Sequence, residues 1–247
     1  MTAARWTSAD PRRDRARAIA DLLRERISSG ELPADARLDE DELGTAYNAS
    51  RNSVREALDL LVADGLVSRR RGVGTRVSAP KLGHGLDRLA GLAETLTGQG
   101  EVRNEVLEAR RLRRLPKEAA ARLDQKATAG GVRIRRLRLL DGEPLSLDIS
   151  YFPTDVGAPL LGADLSGTDV FQLLEESLGT RLGSAQLVVH ADVADADLAA
   201  LLQVATGDPV FRIDRLTRLP DGRPVDAEQL HVRADRIALE ATIERDR

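Results

Sequence analysis

The segment GGVRIRRLRLLDGEP at 130–144 returns as DPVFRIDRLTRLPDGRP at 208–224. Arg136-Leu137 matches Arg215-Leu216 at an offset of 79, and Asp141-Gly142 matches Asp221-Gly222 at an offset of 80. Each copy follows a short helical stretch, 116–123 and 195–202, and each helical stretch follows a strand-like run, 102–112 and 182–191. The Asp-Gly dipeptides sit between strand-like runs and have hairpin-turn chemistry. Leu145, Leu147, Ile149 and Tyr151 alternate with Ser146, Asp148 and Ser150, the period-2 pattern of a half-buried strand. The unit is therefore strand, helix, strand, strand, and it occurs twice. Two such units can share one six-stranded antiparallel sheet flanked by helices, which makes the fold class α+β. A further helix over 169–178, stopped by Gly179, joins the copies.

The earlier part of the chain reads differently. Between 14 and 29, Ala16, Ile19, Ala20, Leu23 and Ile27 fall on one helical face that Gly30 closes. Asp39 and Glu42 form a capping pair for a short helix through Tyr47, with Leu43 and Ala46 inward and Asn48 in the turn. Ser50 then precedes apolar positions at 54, 57, 58, 61 and 62, one face of a helix that ends at Gly65. With Val54, Ala57, Leu58, Leu61 and Val62 inward, Arg51, Asn52 and Arg55 point outward at its amino-terminal end. Arg51 and Arg55 are i, i+4 neighbours, so both guanidinium forks project the same way. That suits guanine edges or phosphates. A hairpin follows, with Arg69, Arg70 and Arg71 before its tip and glycines at 72 and 74. Three helices and a hairpin wing make a winged helix-turn-helix with 50–64 as recognition helix. The candidate DNA contacts are Ser50, Arg51, Asn52, Ser53 and Arg55 on the helix and Arg70, Arg71, Gly72 and Gly74 on the wing.

Length and composition set the bounds. The 247 residues allow two ordinary domains, and 42% apolar content suffices for their cores. We expect a flexible tail at 1–10, the winged helix-turn-helix at 11–79, a linker at 80–89 and the repeat domain at 90–247. No apolar run reaches membrane-spanning length, and residues 1–10 lack the apolar core of a signal peptide, so a cytoplasmic protein is expected. Without cysteine there is no disulfide framework and no thiolate metal site. His84, His190 and His231 lie far apart, so neither a metal centre, a catalytic residue nor a cofactor is expected. The net charge of −3 is no basic tail. Residues 1–80 carry 14 Arg and no Lys against 13 acidic residues. Folding must gather the positive charge onto one face for DNA to be held.

The motifs S-R-x-x-V-R-E-A-L from Ser50 to Leu58, L-x-x-x-G-L-V from Leu61 to Val67 and G-x-G-T-x-V from Gly72 to Val77 resemble those of the GntR family of bacterial transcription regulators. One departure stands out. Ten positions before Arg51, where the family often carries a basic residue, this chain has Asp41, so the second helix is expected to contribute less to DNA.

The repeat region resembles the UTRA effector-sensing domain of the HutC branch, whose fold is similar to that of chorismate lyase. The resemblance rests on Arg136, Arg138, Asp141, Gly142 and Pro144, then Asp148, Tyr151 and Pro153, then 221–225 and 233–236. It implies a homodimer that binds an inverted-repeat DNA operator and is released, as a repressor, by a small-molecule effector. Arg136 and Arg138 share a strand face, which suits an anionic group. In some members of the family such a pair and a helix-opening hydroxyl, here Thr168, meet an effector phosphate. A glutamate there faces sugar hydroxyls. Here it is the shorter Asp148, and Asp169 adds negative charge, so both departures argue against a phosphosugar. The alternatives are an enzyme of chorismate-lyase-like fold with an appended DNA-binding domain, for which no nucleophile–base pair or phosphate loop emerges, and a constitutive dimeric DNA-binding protein.

Overall fold

A computed structural model of the chain describes residues 11–70, 74–78, 81–86, 88–96 and 98–242. The chain divides into two compact units, Met1–Pro80 and Lys81–Arg247. The tail expected at 1–10 lies outside the described residues.

The first unit is built from α1 (Pro11–Ser28), β1 (Arg37–Leu38), α2 (Glu40–Ala46), α3 (Arg51–Ala63), β2 (Val67–Arg70) and β3 (Gly74–Val77). Ala16, Ile19, Ala20 and Leu23 of α1 pack with Val54, Ala57, Leu58 and Leu61 of α3 into one core. Burying each leucine or isoleucine there contributes roughly 1.5–3 kcal/mol. Gly30, at φ 78°, takes the left-handed conformation that ends α1. The Asp39 carboxylate caps α2 by accepting from the amides of Asp41 and Glu42. Asn48 takes φ 46° in the turn, as its position predicts. The Arg15 guanidinium donates to the carbonyls of Tyr47 and Asn48 at 3.0 and 2.8 Å, satisfying acceptors at the carboxyl end of α2.

Two expectations fail at the rims of these helices. Val62 is 40% exposed rather than inward. At about 100° per residue it stands some 80° around the helix from Val54, at the margin of the stripe that Leu58 and Leu61 centre. Ala46, in the last turn of α2, is exposed for the same reason, while Leu43 is buried. The three-stranded sheet runs β1-β3-β2, so the wing gains a strand, Arg37–Leu38, that has no periodic signature at two residues.

The second unit comprises β4 (Leu82–Gly85), α4 (Leu92–Thr95), β5 (Val102–Leu112), α5 (Lys117–Arg122), β6 (Gly131–Leu140), β7 (Glu143–Pro153), α6 (Thr154–Leu160), α7 (Val170–Leu178), β8 (Ser184–Val193), α8 (Ala196–Leu202), β9 (Pro209–Arg218), β10 (Pro224–Arg233) and β11 (Ile237–Glu240). The stretch expected to be a linker is partly structure: β4 pairs in parallel with β11, Leu82 opposite Ile237. A strand this short, rich in glycine, carries no alternation to reveal it.

β5 to β10 form a six-stranded sheet in the order β5-β6-β7-β10-β9-β8, with every neighbouring pair antiparallel. The two repeats meet at β7 and β10, where Ile149 faces Gln229. These two are equivalents under the 80-residue repeat, so an approximate two-fold axis passes between them. Each repeat's helix covers the other repeat's strands. Leu198, Ala199 and Leu202 of α8 pack on Leu137 and Leu147, whereas Ala120 and Leu123, at α5 and its end, pack on Leu216 and Ala227. The opposite face lies under α4, α6 and α7. α6 approaches so closely that a Cβ at Gly157 would stand 2.5 Å from Cβ of Val132, which only glycine permits. No helix among the described residues is long and apolar enough to cross a membrane.

Candidate nucleic-acid interface and effector site

Ser50 caps α3: its hydroxyl accepts from the Ser53 amide at 3.2 Å and lies 3.0 Å from the Ser53 hydroxyl. Ser53 is itself buried, so its side chain serves the cap and the core and is not presented to a groove, contrary to expectation. Arg51, Asn52 and Arg55 are exposed. Arg51 makes a two-toothed ion pair with Asp41, Nε to Oδ1 at 2.8 Å and Nη2 to Oδ2 at 3.1 Å. Arg55 pairs with Glu40, Nη2 to Oε2 at 3.0 Å. Arg69 of β2, the first of the wing arginines but not among the candidate contacts, donates to Asp59 at 2.7 Å and stands 3.7 Å from Glu40. Arg71 and Gly72 lie outside the described residues, as does the side chain of Arg70. Gly74 opens β3 at φ 95°.

On the α7-covered face of the second unit, the sheet interior is polar across its central strands. Arg136, Arg138 and Asp148 are buried at 3%, 2% and 2% exposure. The expected trio is therefore together, and the arginines are not solvated. Nη2 of Arg138 lies 2.8 Å from Oδ2 of Asp148, and Nη2 of Arg136 lies 3.8 Å from the same oxygen. The first contact is a close buried ion pair, and the other carboxylate oxygen, Oδ1, accepts from the Ser146 hydroxyl at 2.8 Å. Arg136 also donates to the carbonyls of Leu165 and Thr168 at 3.3 Å each. Thr168 thus meets the arginine through its backbone, and the cap of α7 is Asp169, which accepts from the Phe171 amide. Burial, then the neighbouring Arg138, pulls the pKa of Arg136 down.

The second repeat brings residues the sequence reading missed. Arg215 and Glu228 are register partners, as are Arg136 and Asp148. Arg215 donates through Nε to Glu228 at 2.7 Å and stacks over the Phe171 ring at 4.4 Å. The repeat itself was the available signal, because it aligns Arg215 with Arg136. Thr217 and Asp226 stand where the first repeat has Arg138 and Ser146. Both are fully buried; the Thr217 hydroxyl lacks a hydrogen-bond partner, and the Asp226 carboxyl has the Ser150 hydroxyl beside it. His84 touches the Thr95 hydroxyl at 2.9 Å, and burial with Arg215 and Arg138 lowers its pKa to about 4. It is therefore neutral at pH 7.

Burial, reinforced by Glu228, raises the Asp226 pKa well above the ordinary carboxyl value. In the pH range between its unfolded and folded pKa values, the unfolded state has lost this proton and the folded state keeps it. Stability attributable to Asp226 is thus present in acid and declines as pH rises from about 4, by ~1.4 kcal/mol per pH unit until the folded group ionises. Asp226→Asn is expected to melt higher than wild type at pH 7.5, with the gap closing towards pH 4. A gap that stays constant with pH would remove the titration argument.

A cleft of about 520 Å³ runs beside α7. Asn104, Asp169 and Phe171 line it, together with Glu94, Gln172 and Glu175, and no basic side chain among the described residues does. The arginines stand one layer behind: Arg138 donates to the Asn104 amide oxygen at 3.2 Å, Arg136 reaches the Thr168 carbonyl, and Arg215 lies on Phe171.

A family model described as bacterial regulatory proteins, gntR family, matches residues 15–77, and a UTRA domain model matches residues 98–238. The chain is 31% identical over 201 residues to the "Probable fructoselysine utilization operon transcriptional repressor" of Escherichia coli strain K12, covering 81% of this chain and 82% of that one. The chain belongs to the GntR family. This GntR protein is also 31% identical over 240 residues to an HTH-type transcriptional regulator of Mycobacterium tuberculosis, covering 92% of this chain and 85% of the relative. The crystal structure of PhnF from Mycobacterium smegmatis shares the fold, with a TM-score of 0.65 at 21% identity over 92% of this chain and all of that one. As a GntR regulator with a UTRA domain, the protein binds DNA through its winged helix-turn-helix, and its second domain is of the effector-binding type.

Proposed function

We propose that this GntR protein is a homodimeric repressor that reads an inverted repeat through Ser50, Arg51, Asn52, Arg55 and the wing, and leaves it when a small molecule binds beside α7. One α3 helix spans only a half-site, so a two-fold operator calls for two copies. Supporting the dimer, the edge strands β5 and β8 carry exposed Val106, Leu107, Val188 and Val193, apolar edges that a folded protein ordinarily covers. The named relatives are transcription regulators, so the enzyme alternative gains nothing from them.

The observation that carries the effector reading is the cleft beside α7 with a buried polar layer behind it, in which Thr217 Oγ1 and Arg138 Nη1 find no hydrogen-bond partner. Buried polar groups without partners are costly and are kept where something else completes them. The cleft itself shows the carboxylates of Glu94, Asp169 and Glu175. A hydroxyl-rich or amine-bearing ligand, which brings donors, fits this lining. A free phosphate fits less well, because it would meet three carboxylates before reaching Arg136, Arg138 and Thr168.

The test is a thermal-shift screen of polyols, amino-polyols and phosphorylated polyols on the full chain, followed by operator titration with each hit. Donor-rich compounds are expected to raise the melting temperature and release DNA. If only phosphorylated compounds act, the ligand class is wrong. If nothing acts and DNA is bound regardless, the constitutive reading takes its place. Asn104→Ala removes a cleft-lining amide that bridges Arg138 and the Ser166 carbonyl. It is expected to raise the effective concentration of a hit about fivefold or more while leaving effector-free operator affinity within twofold.

A further inference from the structure

The charged groups around α3 are balanced almost one to one. Arg51 is held by Asp41, Arg55 by Glu40, and Arg69 by Asp59 with Glu40 nearby. Glu40 and Asp41 open α2 directly after the Asp39 cap, so the amino end of α2 presents carboxylates to the amino end of α3. Glu40 touches arginines from two elements, the recognition helix and the wing strand. Among the described residues this leaves the start of α3 with little surplus positive charge, in keeping with the near-neutral count over residues 1–80.

We infer that Asp41 and Glu40 are specificity-determining residues that bar Arg51 and Arg55 from phosphate and keep them for base edges. The reading rests on α3 being the DNA-reading helix. Asp41 holds the Nε–Nη2 edge of the Arg51 guanidinium, so a phosphate approaching the remaining Nη1 side lies beside the Asp41 carboxylate and is repelled by it. Phosphate contact is the sequence-independent part of DNA affinity, so this repulsion falls on non-specific binding. In the major groove the outcome is different. The arginine fork meets guanine O6 and N7, and a neighbouring carboxylate can accept from a cytosine amine, so the Arg51–Asp41 couple need not break to read a G·C-bearing half-site. Both couples are exposed and ride on helix ends, so neither is needed to hold the core.

The experiment begins with wild-type full-length protein and a randomised duplex library, from which a consensus site is selected. Affinities for that site and for a scrambled duplex are then measured across salt concentrations for wild type, Asp41→Asn, Glu40→Gln and Asp64→Asn. Asp64 pairs with Arg24 beyond the far end of α3, so its substitution makes the same change in net charge away from the recognition face. The expected result is that Asp41→Asn strengthens scrambled-duplex binding about tenfold and steepens its salt slope by about one phosphate contact, with little gain on the consensus site. The specificity ratio then falls by about the same factor. Glu40→Gln should act in the same direction, and Asp64→Asn should leave the ratio unchanged. An unchanged ratio in both Asp41→Asn and Glu40→Gln, or an equal fall in Asp64→Asn, overturns the inference while leaving the DNA-reading role of α3 standing. Failure of wild type to select any sequence overturns both. Thermal melts of each variant exclude a folding defect, and the two independent carboxylates keep the test decisive if one variant does not fold.

Discussion

Arg138→Ala is expected to destabilise the second unit by about 3–5 kcal/mol, the usual cost of removing one partner from a buried ion pair. From sequence alone this arginine reads as a ligand contact whose loss leaves the fold intact. Its burial reverses that expectation. Asp148 sits between Arg136 and Arg138, and with Arg138 gone its buried carboxylate keeps the Ser146 hydroxyl bond but, of its two arginine contacts, only the longer one to Arg136. Asn104 also loses the donor to its amide oxygen. The remedy is itself a prediction: adding Asp148→Ala to Arg138→Ala should cost less than the two single losses combined, with a coupling of roughly 0.5–3 kcal/mol. Denaturant melts of the four proteins make the comparison. Additivity within about 0.5 kcal/mol would mean that the pair is not a unit. A functional loss in Arg138→Ala therefore reports on the effector only after stability has been accounted for, and Asn104→Ala is the cleaner probe.

Arg51→Ala is expected to weaken binding to the selected consensus site by about 1–3 kcal/mol, a drop of several-fold to more than a hundredfold, if the fork reads a base. Binding to scrambled DNA should change much less, because Asp41 already occupies the fork in the free protein and keeps it from phosphate. Ser50 is unaffected by the substitution, so α3 keeps its cap. Equal losses on both duplexes would assign Arg51 to phosphate. A consensus affinity within twofold of wild type would move the recognition surface elsewhere.

Local chemistry was legible wherever one residue decides its own conformation. The Ser50 cap, the Asn48 turn and the Gly30 and Gly179 stops stand where side-chain type requires them. The period-2 runs became strands, and the internal repeat gave both the six-stranded sheet and its antiparallel sense. Legibility ended where a residue's environment is made by distant chain. Ser53 looks like an exposed helix-start hydroxyl, yet the packing of α3 turns it inward. β4 has no pattern of its own and exists only through β11, more than 150 positions away.

The sequence by itself determined the helices and strands that carry caps or a periodic pattern, that two related units share a sheet, and that arginines gather at the start of α3, because capping, periodicity and spacing act over a few residues. Tertiary structure alone decided what those arginines face. Arg136 and Arg138 could have been solvated or ligand-bound, but the covering of that face by α4, α6 and α7 buries them against Asp148, and desolvation makes their pairing obligatory. Arg51 and Arg55 could have stood free, but the packing of α2 on α3 brings Asp41 and Glu40 across ten and fifteen positions into contact with them. Coulombic pairing depends on distance in space, and folding sets that distance through every contact in the domain.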